Sequence, residues 1–207
     1  ACLVGSEMCI RDSIYHVHEK FVQQTLSVRI MEWVFAHTKA HRIFVSEYTQ
    51  RCYPENPSCT SEVCYNHLGK QFLEQVRVKP IGKRKRNTVL MIASLSKVKG
   101  LSTFMAVAEL LPSFHFHLML SADMKSIRAY LDESIPANVE LIPAQSNIHP
   151  YLYEADLMLN LSNPFVWVET FGMTILEAMA YGVPSIVPNV GGPIELIEDG
   201  YNGFCVD

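Results

Sequence analysis

From Ile14 onward, short apolar runs alternate with amphipathic stretches. Ile14–His18 reads as a strand. Thr25–Thr38 has helical spacing, with Leu26, Ile30, Val34 and Phe35 on one face. Arg42–Val45 is a short strand running into Ser46-Glu47-Tyr48-Thr49, a turn that opens another short helix. Tyr53–Ser61, rich in Pro, Asn and Ser, reads as loop, and Glu62–Tyr65 as the next strand. Residues 66–86 then change character. Gly69, Pro80 and Gly82 lead into the basic run Lys83-Arg84-Lys85-Arg86, and the stretch is expected to connect two domains as a solvated linker.

Beyond residue 86 the alternation is cleaner. Thr88–Ala93 is a continuous apolar run, as a parallel strand buried on both faces requires. The pattern predicts helices at Ser102–Leu111 (N-cap Ser102), Met124–Glu133, Pro150–Glu154, Phe171–Tyr181 and Pro193–Glu198. Between them it predicts strands at Phe114–Leu120, Val139–Ile142, Asp156–Leu161, Pro184–Val187 and Gly203–Val206. Strands alternating with helices imply a parallel sheet covered on both faces, with ligands bound beyond the carboxyl ends of its strands.

Composition narrows this reading in three places. The chain has 207 residues, 49% hydrophobic and 18% charged, an ordinary globular balance. A formal net charge of −4 gives no global reason to expect a nucleic-acid partner, and no apolar run is long enough to span a bilayer. Ala1–Asp12 has neither helical nor strand periodicity. Leu3–Asp12 reads as the conceptual translation of a transposon-type sequencing adapter, so native sequence is expected to begin near Ser13. Cys52, Cys59, Cys64 and Cys205 then remain, with spacings that match no zinc pattern and point to reduced thiols in a cytoplasm.

The segment Glu169-Thr170-Phe171-Gly172-Met173-Thr174-Ile175-Leu176-Glu177 carries the chemistry. It follows a predicted strand, so it lies at the carboxyl edge. Gly172 permits close approach of a ligand to the backbone, and the amides of Gly172, Met173 and Thr174 open a helix N-terminus that favours an anion such as a diphosphate. Glu177, about one and a half turns further on, and Glu169, just before the helix, would flank that anion and suit hydroxyl groups at both ends of a ligand. A nucleotide sugar has that composition. The plain alternative is an amphipathic helix with an incidental Glu177. A second Gly-rich loop opening a helix, Asn189-Val190-Gly191-Gly192-Pro193, favours the ligand.

Glu169 and Glu177, with seven residues between them, match the EX7E motif of the family-4 retaining glycosyltransferases. The stretch FGMTILEAMAYGVPSIVPNVGGPIELIEDGYNGF resembles that family's signature region. NVELIPAQSNIHPYLYEADLMLNLS and VLMIASLSKVKG resemble the preceding parts of the same domain. The resemblance implies a GT-B fold, an α/β architecture of two Rossmann-like domains with parallel sheets. Residues 13–65 would be the C-terminal part of the acceptor-side domain and residues 87–207 an incomplete nucleotide-sugar-binding domain, the whole truncated at both ends.

The resemblance also implies roles. Glu169 would bind hydroxyls of the transferred sugar, Glu177 the nucleotide ribose, and the amides of Gly172, Met173 and Thr174 the diphosphate. Lys99 stands in the family's phosphate-binding lysine position. Ser94 replaces its arginine, and Lys97 is the candidate for the missing charge, although an ammonium does not reproduce a bidentate guanidinium. His18 resembles the histidine that faces the donor sugar. The alternatives there are a zinc-like pair with His16 and an ordinary strand-end histidine. Gln145 and Ser146 are candidates for base contact, and His115 and His117 read as structural. There is no Asp-x-Asp, and neither cofactor nor protein-bound metal is expected.

The implied reaction moves a sugar from a nucleoside diphosphate sugar to a hydroxyl of a glycan, lipid or small molecule, with retention. Its location would be cytoplasmic, with peripheral contact at the inner face of the membrane left open for the N-terminal region. The 207-residue piece alone is expected to be inactive. Two rivals stand beside it: a sugar-nucleotide epimerase of the same fold, and a non-catalytic nucleotide-binding module, which the Ser94 departure keeps in play.

Overall fold

The computed structural model describes residues 13–19, 26–77, 87–131 and 135–207. Ala1–Asp12, the basic run Lys83–Arg86 and the ends of two predicted helices (Thr25 and Glu133) lie outside the described residues. The chain forms two compact units, which divide between Asn66 and His67. Among the described residues no helix is long and apolar enough to cross a membrane.

In the first unit, β1 (Ser13–Val17), β2 (Ala40–Phe44) and β3 (Thr60–Val63) pair in parallel in that order. Helix α1 (Leu26–His37) crosses from β1 to β2, and α2 (Glu47–Arg51) follows β2. The Ser46 hydroxyl accepts from the Thr49 amide at 3.0 Å and caps α2. Arg42 is buried on β2. Its guanidinium lies 4.0 Å from the Phe35 ring centroid and donates to the carbonyls of Pro54 and Phe35, so that one side chain ties α1 and the following loop to the sheet. The apolar face expected for α1 is corrected here. Val28 is the buried residue of this helix, whereas Leu26 and Ile30 are 75% and 55% exposed. Phe35, one heptad beyond Val28, makes ring contacts with Tyr15, Phe44 and Tyr53, and so sets the rotation of the helix.

The second unit begins with a helical turn, α3 (Lys70–Leu73), inside the stretch expected to be a connection. The turn is ordered by packing, because Phe72 and Val76 lie against the apolar cluster of Leu90, Leu152, Met158, Ala178 and Tyr181. Six parallel strands follow: β4 (Thr88–Ala93), β5 (His115–Leu120), β6 (Val139–Ile142), β7 (Leu157–Leu159), β8 (Ser185–Pro188) and β9 (Gly203–Val206). Their order across the sheet is β6-β5-β4-β7-β8-β9. Alternate residues of β4 face opposite layers. Val89 and Met91 pack with α4 (Leu101–Leu110) and α5 (Met124–Tyr130), and Leu90 packs with α6 (His149–Glu154) and α7 (Met173–Ala180). Burial on both faces is why β4 reads as an unbroken apolar run. Asp156 accepts from the amides of Asn87 and Thr88, both at 3.1 Å, and secures the start of β4.

Two local expectations are replaced, the cap of α4 and the helix at Pro193–Glu198. Helix α4 is capped by Gly100, at φ +75°, and Ser102 lies inside the helix. Gly100 is required because a Cβ there would run into the Leu161 carbonyl. Helix α5 is capped by Asp123, whose carboxylate accepts from the Ser126 amide at 3.0 Å. The helix expected at Pro193–Glu198 is only a 3-10 turn, Gly192–Glu195. His117 faces Glu140 across β5 and β6 at 3.5 Å, and His115 is exposed. The four cysteines beyond residue 12 are unpaired.

Gly100→Ala should cost about 2 kcal/mol or more, since it combines a left-handed backbone with a backbone collision. The melting midpoint of the second unit should fall by roughly 4–8 °C. Ser102→Ala should stay within about 0.5 kcal/mol, and Asp123→Ala should cost about 1 kcal/mol. Thermal denaturation followed by circular dichroism checks all three. A larger loss at Ser102 than at Asp123 would contradict the cap assignment.

Candidate functional site

In the second unit the chain adds β5 and β6 to one side of β4 and then returns to place β7 on the other side. The connections after β4 and β7 therefore lead to helices on opposite faces of the sheet, and such a reversal opens a crevice at the carboxyl ends of the two strands. The loop after β4 contains Ser94 and the 3-10 turn Lys97–Lys99, and the loop after β7 contains Ser162, Trp167 and Glu169.

Three features hold these loops in register. The Asn163 amide donates to the Val98 carbonyl at 2.8 Å, and Gly100 lies against the Leu161 backbone. The third loop, after β8, brings the Gly192 amide to the Glu169 carbonyl at 2.8 Å. A Cβ on Gly192 would collide with the Thr170 carbonyl, so the double glycine is a requirement of packing.

At this junction Lys99 and Glu169 form a direct ion pair, with side chains only 16% and 25% exposed. The Ser162 hydroxyl donates to Glu169 Oε1 at 3.4 Å, and the Lys99 ammonium lies 5.4 Å from the Trp167 ring centroid. Glu169 leads into Gly172, which caps α7 at φ +102°. The amides of Ile175 and Leu176 both turn back to the Gly172 carbonyl at 3.1 Å. Those of Gly172, Met173 and Thr174 meet no backbone carbonyl among the described residues, and they form the donor-rich end of the helix. Glu177 follows on α7 as a half-buried carboxylate with no ion pair or hydrogen bond among the described residues. Burial pushes its carboxyl group up from the ordinary range.

The structure thus brings Lys99 to Glu169, which stands three residues before Gly172 at the start of α7, with Met173, Thr174 and Glu177 along that helix. Lys97 shares the turn of Lys99 but is exposed, with its own amide bonded to the Tyr130 hydroxyl at 2.8 Å. Gln145 and Ser146 are exposed in the loop after β6, two strands from β4, where the Gln145 side chain donates to the Pro143 carbonyl at 3.1 Å. His18 belongs to the first unit, just beyond the carboxyl end of β1. Its Nε2 lies 3.1 Å from Nδ1 of His16, and its pKa is lowered by burial and by the neighbouring His16 charge. Trp167 and Ser162 were not anticipated. Trp167 stands two residues before Glu169 in an otherwise loop-like stretch, and only the folding of that loop against Val98 brings it to Lys99.

These features fit a class of proteins that bind an anionic, hydroxyl-bearing ligand at the switch point of a parallel sheet. The profile of the family described as "Glycosyl transferases group 1" matches residues 74–207, well over half of the chain. The chain belongs to that family. A sucrose synthase from Acidithiobacillus caldus is 31% identical over 94 residues, which are 44% of this chain and 10% of that protein. The N-acetyl-alpha-D-glucosaminyl L-malate synthase of Bacillus anthracis is 33% identical over 124 residues, 58% of this chain and 32% of that protein. Among solved structures, Anabaena HepE in complex with UDP and glucose superposes with a TM-score of 0.74 at 22% identity, covering 95% of this chain and 58% of that one. That likeness establishes the GT-B architecture. The chain spans less than two thirds of each of these proteins.

The raised pKa of Glu177 has a stability consequence with a definite sign. Its folded value lies above its unfolded value, so its contribution is complete below the unfolded pKa, about 4.3, and is lost as pH rises through the folded value. Glu177→Gln, neutral throughout, should therefore be more stable than the wild type at pH 7 and no more stable at pH 4. Urea denaturation at the two pH values checks this, and an equal difference at both would contradict it.

Proposed function

We propose that this chain is the donor-binding part of a family-4 retaining glycosyltransferase that moves a hexose-type unit from a nucleoside diphosphate sugar to an acceptor hydroxyl. The observation that carries the reading is the junction at the switch point. A lysine, two carboxylates separated as in EX7E and an unbonded helix N-terminus all belong to the loops and helix that follow β4 and β7. The complex of HepE with UDP and glucose supports a nucleotide sugar as the donor class.

In this reading the diphosphate lies at the amides of Gly172, Met173 and Thr174, with Lys99 beside it. Breaking the bond between sugar and diphosphate leaves negative charge on the departing phosphate. A preorganised ammonium and oriented amides stabilise that charge as it develops. Glu169 accepts hydrogen bonds from sugar hydroxyls and Glu177 from the ribose, so each carboxylate meets a neutral partner and not the phosphate. His18 contacts the sugar, Lys97 adds positive charge near the phosphates, and Gln145 and Ser146 meet the base. The departing charge is met by the chain's own cation and amides, without a protein-held metal ion or cofactor. The bond from the sugar to the diphosphate breaks as the acceptor hydroxyl attacks on the face that the leaving phosphate vacates and passes its proton to a departing phosphate oxygen, which preserves the anomeric configuration. Ser94, exposed where the family has arginine, favours one second reading, a module that binds nucleotide without turnover.

Calorimetric titration with UDP, GDP, ADP and CMP tests the assignment. Selective binding of one diphosphate is expected, weakened about tenfold or more by Glu177→Ala, the size of a lost hydrogen bond to a charged group. Equal weak binding of all four nucleotides, indifferent to Glu177→Ala, would remove the donor-site assignment. Binding without sugar transfer by the full-length protein would favour the second reading.

A further inference from the structure

We infer that Trp167 and Glu169 clamp Lys99 in a closed arrangement that a diphosphate must open before the site can work. The inference rests on the donor-site reading above. The Lys99 ammonium is held from two sides. The Glu169 carboxylate contacts it directly, and the Trp167 ring centroid lies 5.4 Å away, within the range at which the ring quadrupole attracts a cation. The Ser162 hydroxyl donates to the same Glu169 oxygen at 3.4 Å and fixes its position.

The scaffold keeps these groups together. The Trp167 amide donates to the Asn163 carbonyl at 2.9 Å, and the Asn163 amide donates to Val98, the neighbour of Lys99, at 2.8 Å. Trp167 and Lys99 are therefore carried by loops bonded to each other. The indole Nε1 is buried and has no hydrogen-bond partner among the described residues. A buried N–H without an acceptor is unfavourable, so the ring is kept in place by its packing and by the cation near it. Trp167 is accordingly a positioning residue for Lys99.

The clamp couples two recognition events. While Glu169 neutralises Lys99, neither group is available, since a phosphate near the pair meets a carboxylate and a sugar hydroxyl meets an acceptor already engaged. A diphosphate that draws Lys99 away leaves Glu169 open for sugar hydroxyls. Sugar recognition thus follows diphosphate binding.

Limited acetylation of the 207-residue chain, read lysine by lysine by mass spectrometry, tests the closed state. Lys97, exposed in the same turn, is the internal reference. Lys99 should react several-fold more slowly than Lys97. The isosteric Glu169→Gln should accelerate Lys99 about three- to fivefold, as the loss of a partly exposed ion pair implies, with Lys97 unchanged. Trp167→Leu should accelerate Lys99 less, and Trp167→Phe, which keeps an aromatic face if the leucine variant fails to fold, less again.

The opening step is read by calorimetry with inorganic diphosphate. Glu169→Gln should tighten binding about three- to fivefold, and the same change in a Lys99→Gln background should give a clearly smaller gain, the part that comes from removing a carboxylate near the phosphates. Lys99 reacting as fast as Lys97, or a Glu169→Gln gain that is undiminished in the Lys99→Gln background, would overturn the clamp. Slow Lys99 acetylation that depends on Glu169 and Trp167, with no diphosphate binding in any variant, would instead overturn the donor-site reading. The opening step would fall with it and leave a structural ion pair.

Discussion

The hydrogen-bonded seam between the loops leaving β4 and β7 is the constraint on which the site depends. Two adjacent parallel strands whose chain connections run to opposite sides leave a crevice that no helix can fill. The seam closes its base through the bond from Asn163 to Val98 and the packing of Gly100 on Leu161. Lys99 and Glu169 are 70 residues apart in the chain, and this seam makes them neighbours. The loop after β8 adds a third wall by bonding the backbone of Glu169 itself. The orientation of Glu169 is thus set by main-chain contacts on one side and by Lys99 and Ser162 on the other.

Charge is distributed unevenly along this wall. Lys99 and Glu169 neutralise each other, which suits a junction largely withdrawn from water. Glu177 has no such partner, and burial raises its pKa. A half-buried carboxylate without a partner among the described residues is unfavourable for the fold. The helix N-terminus before it has the opposite character, with donors that no carbonyl in the described chain satisfies. Functional sites commonly keep such local imbalances while the surrounding core supplies the stability. Here that core is the two-faced packing around β4, with Leu90, Phe104, Phe116 and Leu118 excluded from solvent.

Membership of the group 1 glycosyl transferases gives this arrangement a chemical context. The solved structure of HepE shares the architecture at 22% identity. In the first unit, His18 is set against His16 at the end of β1. Arg42 of the same unit performs a structural task, joining α1 and the loop after α2 to the sheet through two carbonyls and an aromatic face.

The sequence by itself determined the elements whose burial is two-sided or whose turns need particular residues. β4, β6 and β9 fall at the expected residues; for β4 the reason is burial on both faces, which an unbroken apolar run reports, whereas β6 and β9 lie at the two edges of the sheet. The spacing of Glu169 and Glu177 and the Gly172 helix start were also legible locally. Tertiary structure decided what depends on distant partners. The rotation of α1 followed Phe35 and its contacts with Tyr15, Phe44 and Tyr53, and no one-helix pattern contains those neighbours. The cap of α4 moved to Gly100 because of the Leu161 carbonyl, 61 residues away in the chain. Order in α3 came from Phe72 meeting α6 and α7. Trp167 acquired its place at Lys99 only when two loops from non-consecutive strands were bonded together, since periodicity reports the face of one element and carries no information about which other element will cover it.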